Sequence, residues 1–535
     1  MQLIQVRING YKHLKNTCVN FNNQSGKELF HDGLPIRFFI GLNGSGKSVF
    51  MEALCILFSR IVQDEQPGFD FTLVYNIWRE QNYRVEVTNG EEHLKIHVLR
   101  EDGHEMTSDS FAEHRYLLPD YILTCASGVN NNFYDIMVSS PRESLQSDLF
   151  DLSLLGQSRY GETEREQKIR DVLLSLRRLE ENPISMFIDE KNSVLSLAAF
   201  LAVLPGGLDD PDAGAQLRCR ERLLSMLADQ PCPVSLSFTL DEKRAGELEE
   251  EMEQFGTVFG ESSEKPGAKR KPGGEWGRQA ERKTGWTTQR TYQDETTDAE
   301  NAHGDRVITW LFEPFGEGNV RYVRKLTEDY KNPLEFLSRL ILARNRGLLK
   351  ECHISFRLRG TEDILEENAF SEGEYMFLVR MGLLVMGRQR KGSSQCLYLY
   401  DEPDVYLNER WNIDFISDVQ KIFEDSGVRH EIVIATHSSL MLTDAFPEQL
   451  YYFRQKEGGV SCTNIQASTF GGSRNEIMQA LFGTEHSVGS YSYRKVKKLL
   501  EEEDDIGKLE DCLDSVGSGY LRLRLLDKIQ LLKKR

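Results

Sequence analysis

The stretch Gly41-Leu42-Asn43-Gly44-Ser45-Gly46-Lys47-Ser48 decides the fold of this chain. It stands between an apolar run at 36–40, which predicts a strand, and a dense apolar run at 49–58, which predicts a buried helix. A G-x-x-x-x-G-K-S loop in that position directs backbone N–H groups at phosphates. We therefore predict an ATP site in which Lys47 acts in catalysis by neutralising phosphate charge and Ser48 ligates Mg²⁺. The predicted ATP-binding residues of this loop are Asn43, Gly44, Ser45, Gly46, Lys47 and Ser48.

Further polar residues follow two apolar runs late in the chain. Residues 397–400 lead into Asp401 and Glu402, and residues 432–436 lead into His437. We expect Asp401 to hold Mg²⁺, Glu402 to polarise the attacking water as general base, and His437 to sense the γ-phosphate. Alone, a strand ending in two acids could simply enter a solvated turn, and a lone histidine is usually structural. Their place after the glycine loop favours the catalytic interpretation.

The segment Ser371-Glu372-Gly373-Glu374 precedes an apolar helix. One interpretation is a capping box, with Ser371 as N-cap and Glu374 three residues later. A second interpretation keeps that geometry and adds a ligand. Ser371, Gly373 and Glu374 would then lie at a helix N-terminus that meets the γ-phosphate held by a second subunit.

Composition narrows the class of protein. The chain has 535 residues and a formal charge of −19, which argues against non-specific coating of nucleic acid. Its nine cysteines include no CxxC spacing, so we expect neither a zinc site nor a disulfide framework. The start of the chain has no signal-peptide pattern, and the longest apolar run, near 194–204, is too short to span a bilayer. These features predict a cytoplasmic protein without a membrane segment.

The glycine loop, the Ser-x-Gly-Glu segment, the Asp401-Glu402 strand and the His437 strand come in the order that the ATP-binding-cassette head has. They resemble its RecF/Rad50/SMC-like branch, in which the signature reads Ser-x-Gly-Glu. This resemblance implies an α/β fold, namely a P-loop ATPase head with a mostly helical insertion and a C-terminal helical extension. It also implies that two copies sandwich two ATP molecules, each signature helix completing the partner's site.

The resemblance suggests five divisions of the chain. They are 1–139, the N-terminal lobe of the head; 140–240, a helical insertion; 241–305, a flexible basic loop; 306–486, the C-terminal lobe; and 487–535, a helical extension that binds a partner. Apolar periodicity at 169–179 predicts a packed helix in the insertion. Within the basic loop, residues 265–290 combine many lysines and arginines with two tryptophans. They form either a disordered surface loop or an arm that grips nucleic acid or a partner.

Shorter runs narrow the resemblance further. Residues 401–408 (Asp-Glu-Pro-Asp-x-x-Leu-Asn), 435–439 (Ala-Thr-His-Ser-Ser) and 469–489 are similar to PtuA-type ATPases of Septu and retron anti-phage systems. Asp404 stands where that family usually has glutamate, and Asn408 where it usually has histidine. The resemblance implies an ATP-hydrolysing regulatory subunit that forms a homodimer through its heads, or a higher oligomer. It would control an HNH nuclease (PtuB-like) and, in retrons, contact a reverse transcriptase and its small DNA–RNA product, the msDNA.

Two other hypotheses were weighed. A stand-alone RecF-like ATPase of DNA repair or recombination shares the head, although the acidity of this chain and its lack of a long coiled coil weigh against it. An overcoming-lysogenization-defect nuclease joins a similar head to a Toprim domain. The residues after His437 show no strand-ending glutamate followed by an Asp-x-Asp pair, so we discount the nuclease.

Overall fold

The computed structural model describes residues 1–21, 36–91, 93–127, 185–207, 213–227, 230–241, 305–314, 320–330, 332–360, 363–388, 395–424, 430–484 and 488–534. The helix predicted at 169–179 and the basic segment at 265–290 lie outside these residues. The described residues form layers of helices and sheets around one mostly parallel sheet. The predicted α/β class is therefore confirmed.

The strands, in chain order, are β1 (Gln2–Asn9), β2 (Thr17–Asn20), β3 (Ile36–Ile40), β4 (Asp70–Trp78), β5 (Asn82–Asn89), β6 (Leu94–Arg100), β7 (Glu105–Ser108), β8 (Tyr121–Ala126), β9 (Ser185–Ile188), β10 (Cys232–Asp241), β11 (Asp305–Leu311), β12 (Glu313–Pro314), β13 (Arg321–Tyr322), β14 (Leu349–Arg357), β15 (Ile364–Glu366), β16 (Cys396–Asp401), β17 (Glu431–Ala435), β18 (Leu450–Lys456) and β19 (Gly459–Asn464).

The α-helices, in chain order, are α1 (Lys47–Val62), α2 (Glu190–Ala202), α3 (Ala213–Ser225), α4 (Arg324–Asp329), α5 (Pro333–Asn345), α6 (Glu372–Gly387), α7 (Glu409–Phe423), α8 (Arg474–Phe482), α9 (Ser490–Glu502), α10 (Ile506–Leu513) and α11 (Tyr520–Lys534).

The central sheet has the strand order β19-β18-β3-β17-β16-β8-β9, and only β19 pairs in the antiparallel sense. Strand β17 lies between β3 and β16. Its Ala435 pairs with Phe39 on one side and with Asp401 on the other. Because the three strands run parallel, the loop after β3, the carboxylates after β16 and the segment after β17 meet at one edge of the sheet.

Alternate side chains of the central strands enter two different cores. Tyr398 and Tyr400 of β16 belong to a core with α2, α5, α6 and α7. Leu397 and Leu399 belong to a second core with α1 and the antiparallel strands of the N-terminal region. Burial on both faces explains why the strands read as continuous apolar runs in the sequence.

A six-stranded antiparallel sheet, β2-β1-β4-β5-β6-β7, covers α1. Strands β5 and β6 form a hairpin in which Asn89 pairs with Leu94, so that the connecting loop is longer than two residues. A Cβ atom at Gly90 would lie 2.2 Å from the His93 carbonyl oxygen, which explains the glycine.

The segment predicted as a helical insertion at 140–240 also contains strands within its described part. Strand β9 extends the central sheet beside β8, and β10 belongs to a four-stranded antiparallel sheet of order β11-β10-β14-β15. Buried Met186, Phe187 and Ile188 make β9 an apolar edge strand. The sequence did not predict β9, because this short apolar run lies among residues with a helical pattern. Whether 140–240 is a separate unit stays a prediction.

Helices α9, α10 and α11 pack around a small core of Val496, Leu509, Leu525 and Ile529. The 487–535 extension is thus helical where it is described. Helix α2 contains most of the apolar run at 194–204 and is buried from Asn192 onward, apart from the half-buried Val194. No helix in the described ranges is both long and apolar enough to cross a membrane.

Candidate nucleotide-binding site

The loop at 41–48 joins the end of β3 to the start of α1, as the sequence predicts. Gly41 and Gly46 have φ angles of 147° and 102°, in the region that favours glycine. A Cβ atom at Gly41 would lie 2.4 Å from the Phe453 carbonyl oxygen, and one at Gly46 would lie 2.8 Å from Val460. The N-cap residue of helix α1 is Gly46, which has no side chain to cap the helix, and this leaves the first N–H groups of α1 for an anion.

Lys47 lies under this loop. Its Nζ donates to the Gly41 carbonyl at 3.0 Å and lies 2.8 Å from His437 Nε2. Burial lowers the pKa of the ammonium group, and the carboxylates of Asp401 and Glu402 oppose that shift. The cation is therefore held among the groups that a phosphate would meet.

Ser48 and Asp401 form the candidate magnesium pair. Ser48 Oγ donates to Asp401 Oδ1 at 3.1 Å, although the two residues lie 353 positions apart. A hydroxyl and a carboxylate are hard oxygen ligands, and Mg²⁺ usually takes one or two carboxylates while substrate phosphates and waters fill the rest. The residues present therefore fit Mg²⁺. Burial raises the pKa of Asp401 to about 6; the bond from Ser48 opposes the shift, and nearby Glu402 adds to it.

Glu402 begins the turn after β16 with a φ angle of 51°, which is unusual for a residue other than glycine. Its N–H donates to the Ala435 carbonyl at 2.8 Å, so β17 fixes the start of the turn. Burial raises the pKa of Glu402, Asp404 raises it further, and Lys47 opposes both. A carboxylate with a raised pKa at the site edge suits a general base.

His437 lies between the lysine and the glutamate. Its Nε2 is 3.6 Å from Glu402 Oε1 and 2.8 Å from Lys47 Nζ. Burial and then the charge of Lys47 lower the pKa of His437, so the neutral ring is favoured and Nε2 accepts from the ammonium group. The Phe482 ring packs 6.0 Å from the imidazole.

The Ser371 segment adopts the predicted capping box. Ser371 Oγ accepts from the Glu374 N–H at 3.3 Å, and the Glu374 carboxylate accepts from the Ser371 N–H at 3.1 Å. Within the described part of the chain, no hydrogen bond or ion pair joins Ser371, Gly373 or Glu374 to the glycine loop. Their role toward a second copy stays a proposal.

Two contacts at this edge were not predicted. Thr436 Oγ1 donates to Asp404 Oδ1 at 2.7 Å and so links the segment before His437 to the turn after Glu402. The buried Arg380 of α6 donates to carbonyls of the same turn. The signal for Arg380 was available, since it is the one charged residue in the apolar run 375–387. The sequence does not indicate which carbonyl groups Arg380 binds.

The glycine loop lies in the part of the chain that matches a known family. Residues 1–151 match the family model described as an AAA ATPase domain. This N-terminal part of the chain is thus similar to AAA-type ATPase domains. No curated protein matches this sequence. Among solved structures, the SMC head domain from Thermotoga maritima is similar at 10% identity and a TM-score of 0.28, over 87% of this chain and 100% of that one.

The matched range supplies only part of the candidate site. Lys47 and Ser48 lie inside the ATPase domain match, whereas Asp401, Glu402 and His437 lie far beyond its end at residue 151. Contacts across 353 and 390 positions bring the two sets together. The site therefore joins the matched domain to the C-terminal part of the chain.

Proposed function

We propose that the chain binds Mg²⁺–ATP at the glycine loop and hydrolyses it. The main support for this proposal is that Lys47, His437 and Glu402 lie close together, beside the Ser48–Asp401 pair. A phosphate-binding cation, an oxygen pair suited to Mg²⁺ and a candidate base thus lie at one sheet edge. That combination supports in-line attack of water on a γ-phosphate.

Each side chain has a distinct task in this proposal. Lys47 neutralises the β- and γ-phosphates, and the N–H groups at the start of α1 hold their oxygens. Ser48 and Asp401 would hold Mg²⁺, which would supply neutralisation of phosphate charge. Glu402 accepts the proton of the attacking water, and the neutral His437 ring donates or accepts a hydrogen bond at the γ-phosphate edge.

Two substitutions test the proposed function. Glu402→Gln should keep ATP affinity within about threefold and lower kcat by about 10²- to 10⁴-fold, because only the general base is lost. Lys47→Ala should bind ATP more weakly in calorimetry, because it removes the buried ammonium group that would neutralise the phosphates. Lys325→Ala, which alters an exposed helical ion pair with Asp329, is the matched control. Unchanged phosphate release by Glu402→Gln would remove Glu402 as the base.

We propose further that ATP pairs two heads. The N-terminus of α6, with Ser371, Gly373 and Glu374, would complete the γ-phosphate site of a second copy. The capping box supports this proposal because it leaves a preformed helix N-terminus at the surface, with Ser371 exposed and Glu374 half-buried. A higher oligomer built from such pairs is compatible with the same contact.

In the most specific form of the proposal, the paired head regulates a partner HNH nuclease in anti-phage defence. The sequence resemblance at 401–408, 435–439 and 469–489 supports it. Septu and retron relatives further suggest a reverse transcriptase and its msDNA as partners. Affinity purification from the native host tests this, with nuclease and nucleic acid assayed in the eluate. Recovery of neither would leave a stand-alone repair-type ATPase as the better reading.

A further inference from the structure

Arg380 is a buried cation in an apolar helix. It lies near the middle of α6 and is only 1% exposed. In the described part of the chain it forms hydrogen bonds but no ion pair. An ionised guanidinium inside a core is costly unless its N–H groups are satisfied, so its partners show what the residue is for.

The partners belong to the edge of the candidate site. Nη1 donates to the Pro403 carbonyl and, at 3.2 Å, to the Val405 carbonyl. Nη2 donates to Ser127 Oγ. Ser127 in turn donates its N–H to the Asp401 carbonyl at 3.1 Å. One guanidinium thus ties α6 to the turn after β16 and to the end of β8.

The residues at 402–407, called the catalytic turn below, need such support. Glu402 and Tyr406 have φ angles of 51° and 73°, and strained backbone of this kind persists only where its surroundings hold it. The Thr436 hydroxyl binds the Asp404 carboxylate from the β17 side. Arg380 holds the turn through the carbonyl oxygens of Pro403 and Val405.

Helix α6 touches the catalytic turn at a second point. A Cβ atom at Gly373 would lie 2.6 Å from the Tyr406 carbonyl oxygen, so the first turn of α6 packs directly on the catalytic turn. Gly373 lies in the same first turn as Glu374, beside the N-cap Ser371. The helix and the catalytic turn are therefore in contact both at the helix N-terminus and, through Arg380, further along the helix.

We propose that Arg380 is a positioning residue that fixes the catalytic turn, and hence the Glu402 carboxylate, to the helix whose N-terminus would complete the site of a second copy. This inference rests on the proposed function. A movement of α6 on pairing would carry Glu402 of the same chain with it. Hydrolysis in one site would then depend on the pairing contact that the same chain makes with the other site.

The test compares two buried arginines. Arg220 of α3 is 2% exposed and, like Arg380, donates to backbone carbonyls, here those of Leu201, Val203 and Arg321. It makes none of the catalytic-turn contacts, so Arg220→Met is the matched control for Arg380→Met. Arg380→Lys tests whether one remaining donor restores part of the function.

Three quantities are measured on the full chain: ATP affinity by calorimetry, kcat with KM, and amide hydrogen exchange at 402–407. Arg380→Met should lower kcat roughly a hundredfold, the cost of about 1 Å of misplacement. Its ATP affinity should stay within about threefold, because the glycine loop is untouched. Amide exchange at the catalytic turn should become faster in Arg380→Met. Arg380→Lys should recover part of kcat. Arg220→Met should change neither kcat nor the exchange at 402–407.

A wild-type kcat in Arg380→Met, or an equal loss in Arg220→Met, would overturn the inference. If the wild type hydrolyses no ATP, the proposed function fails, and hydrogen exchange alone decides whether Arg380 holds the turn. Unchanged exchange at 402–407 would then refute it. If Arg380→Met does not fold, Ser127→Ala removes one partner with little change in volume and should shift kcat and exchange in the same direction, by less.

Discussion

At the residue scale, Asp401 is subject to two opposed demands. Burial raises its pKa to about 6, whereas Mg²⁺ binds the ionised carboxylate. The carboxyl is therefore protonated below about pH 6. We expect Mg²⁺–ATP affinity to be level above pH 7 and to fall as the pH drops through 6, approaching about tenfold per pH unit. Calorimetry of Asp401→Asn, whose weak affinity reflects the nucleotide alone, gives the baseline; an identical pH profile in both proteins would refute the prediction.

The same pKa predicts an effect on the nucleotide-free protein. A carboxyl whose pKa is raised in the folded state lowers the free energy of unfolding as the pH rises from its unfolded pKa, about 4, to its folded pKa, and the loss is complete above that value. Asp401→Asn should therefore raise the melting temperature by about 2 °C or more at pH 8 and by much less at pH 4. Scanning calorimetry without nucleotide measures this. A lower melting temperature at pH 8 would contradict it.

The residues of the candidate site were predictable to different degrees. The choice of Lys47, Ser48 and Asp401 follows from local motifs, because a glycine-rich loop and a strand ending in acids are short-range patterns; their catalytic roles stay a prediction. The bond from Thr436 to Asp404 and the donors of Arg380 are set by how distant elements pack. A single sequence carries no signal for such pairs.

At the scale of elements, the glycine loop depends on close backbone approach as well as on conformational freedom. Gly41→Ala places a Cβ atom 2.4 Å from the Phe453 carbonyl, whereas Gly44, with a φ of 75°, has no atom within 4 Å of that position. Gly44→Ala should cost about 1 kcal/mol of unfolding free energy through backbone strain alone. Gly41→Ala should cost about 2–3 kcal/mol and shift β18. Chemical denaturation compares the two variants, and equal losses would argue against the contact with Phe453.

The central strands and α1 were predictable because both faces of the sheet are buried, which leaves long apolar runs. Strand β9 was missed, since four residues at a sheet edge give too short a run to separate from the helical pattern around them. The hairpin of β5 and β6 contains Asn89-Gly90, a short-range turn signal, but the pairing of Asn89 with Leu94 makes its loop longer than the two residues typical of that signal.

At the scale of the whole molecule, the proposed pairing of two heads predicts a twofold change in molecular mass. The Glu402→Gln variant should double its mass on addition of Mg²⁺–ATP in light scattering, because bound nucleotide is not turned over. The double variant with Ser371→Arg should stay monomeric under the same conditions, because a bulky cation then lies at the N-terminus of α6. Asp505→Arg alters the N-cap of α10 in the separate C-terminal core and should leave pairing intact. A double mass in the presence of Ser371→Arg would refute the contact.

The central place of β17 also has a consequence during synthesis of the chain. Strand β3 emerges early from the ribosome, yet β17, which lies between β3 and β16, is made almost 400 positions later. His437 likewise follows its contact residue Lys47 by 390 positions. At about 5–20 residues per second this interval is roughly 20–80 s. Both edges of β3 therefore stay unpaired until β17 and β18 are made, and the proposed ATP site is complete only once His437 has been synthesised.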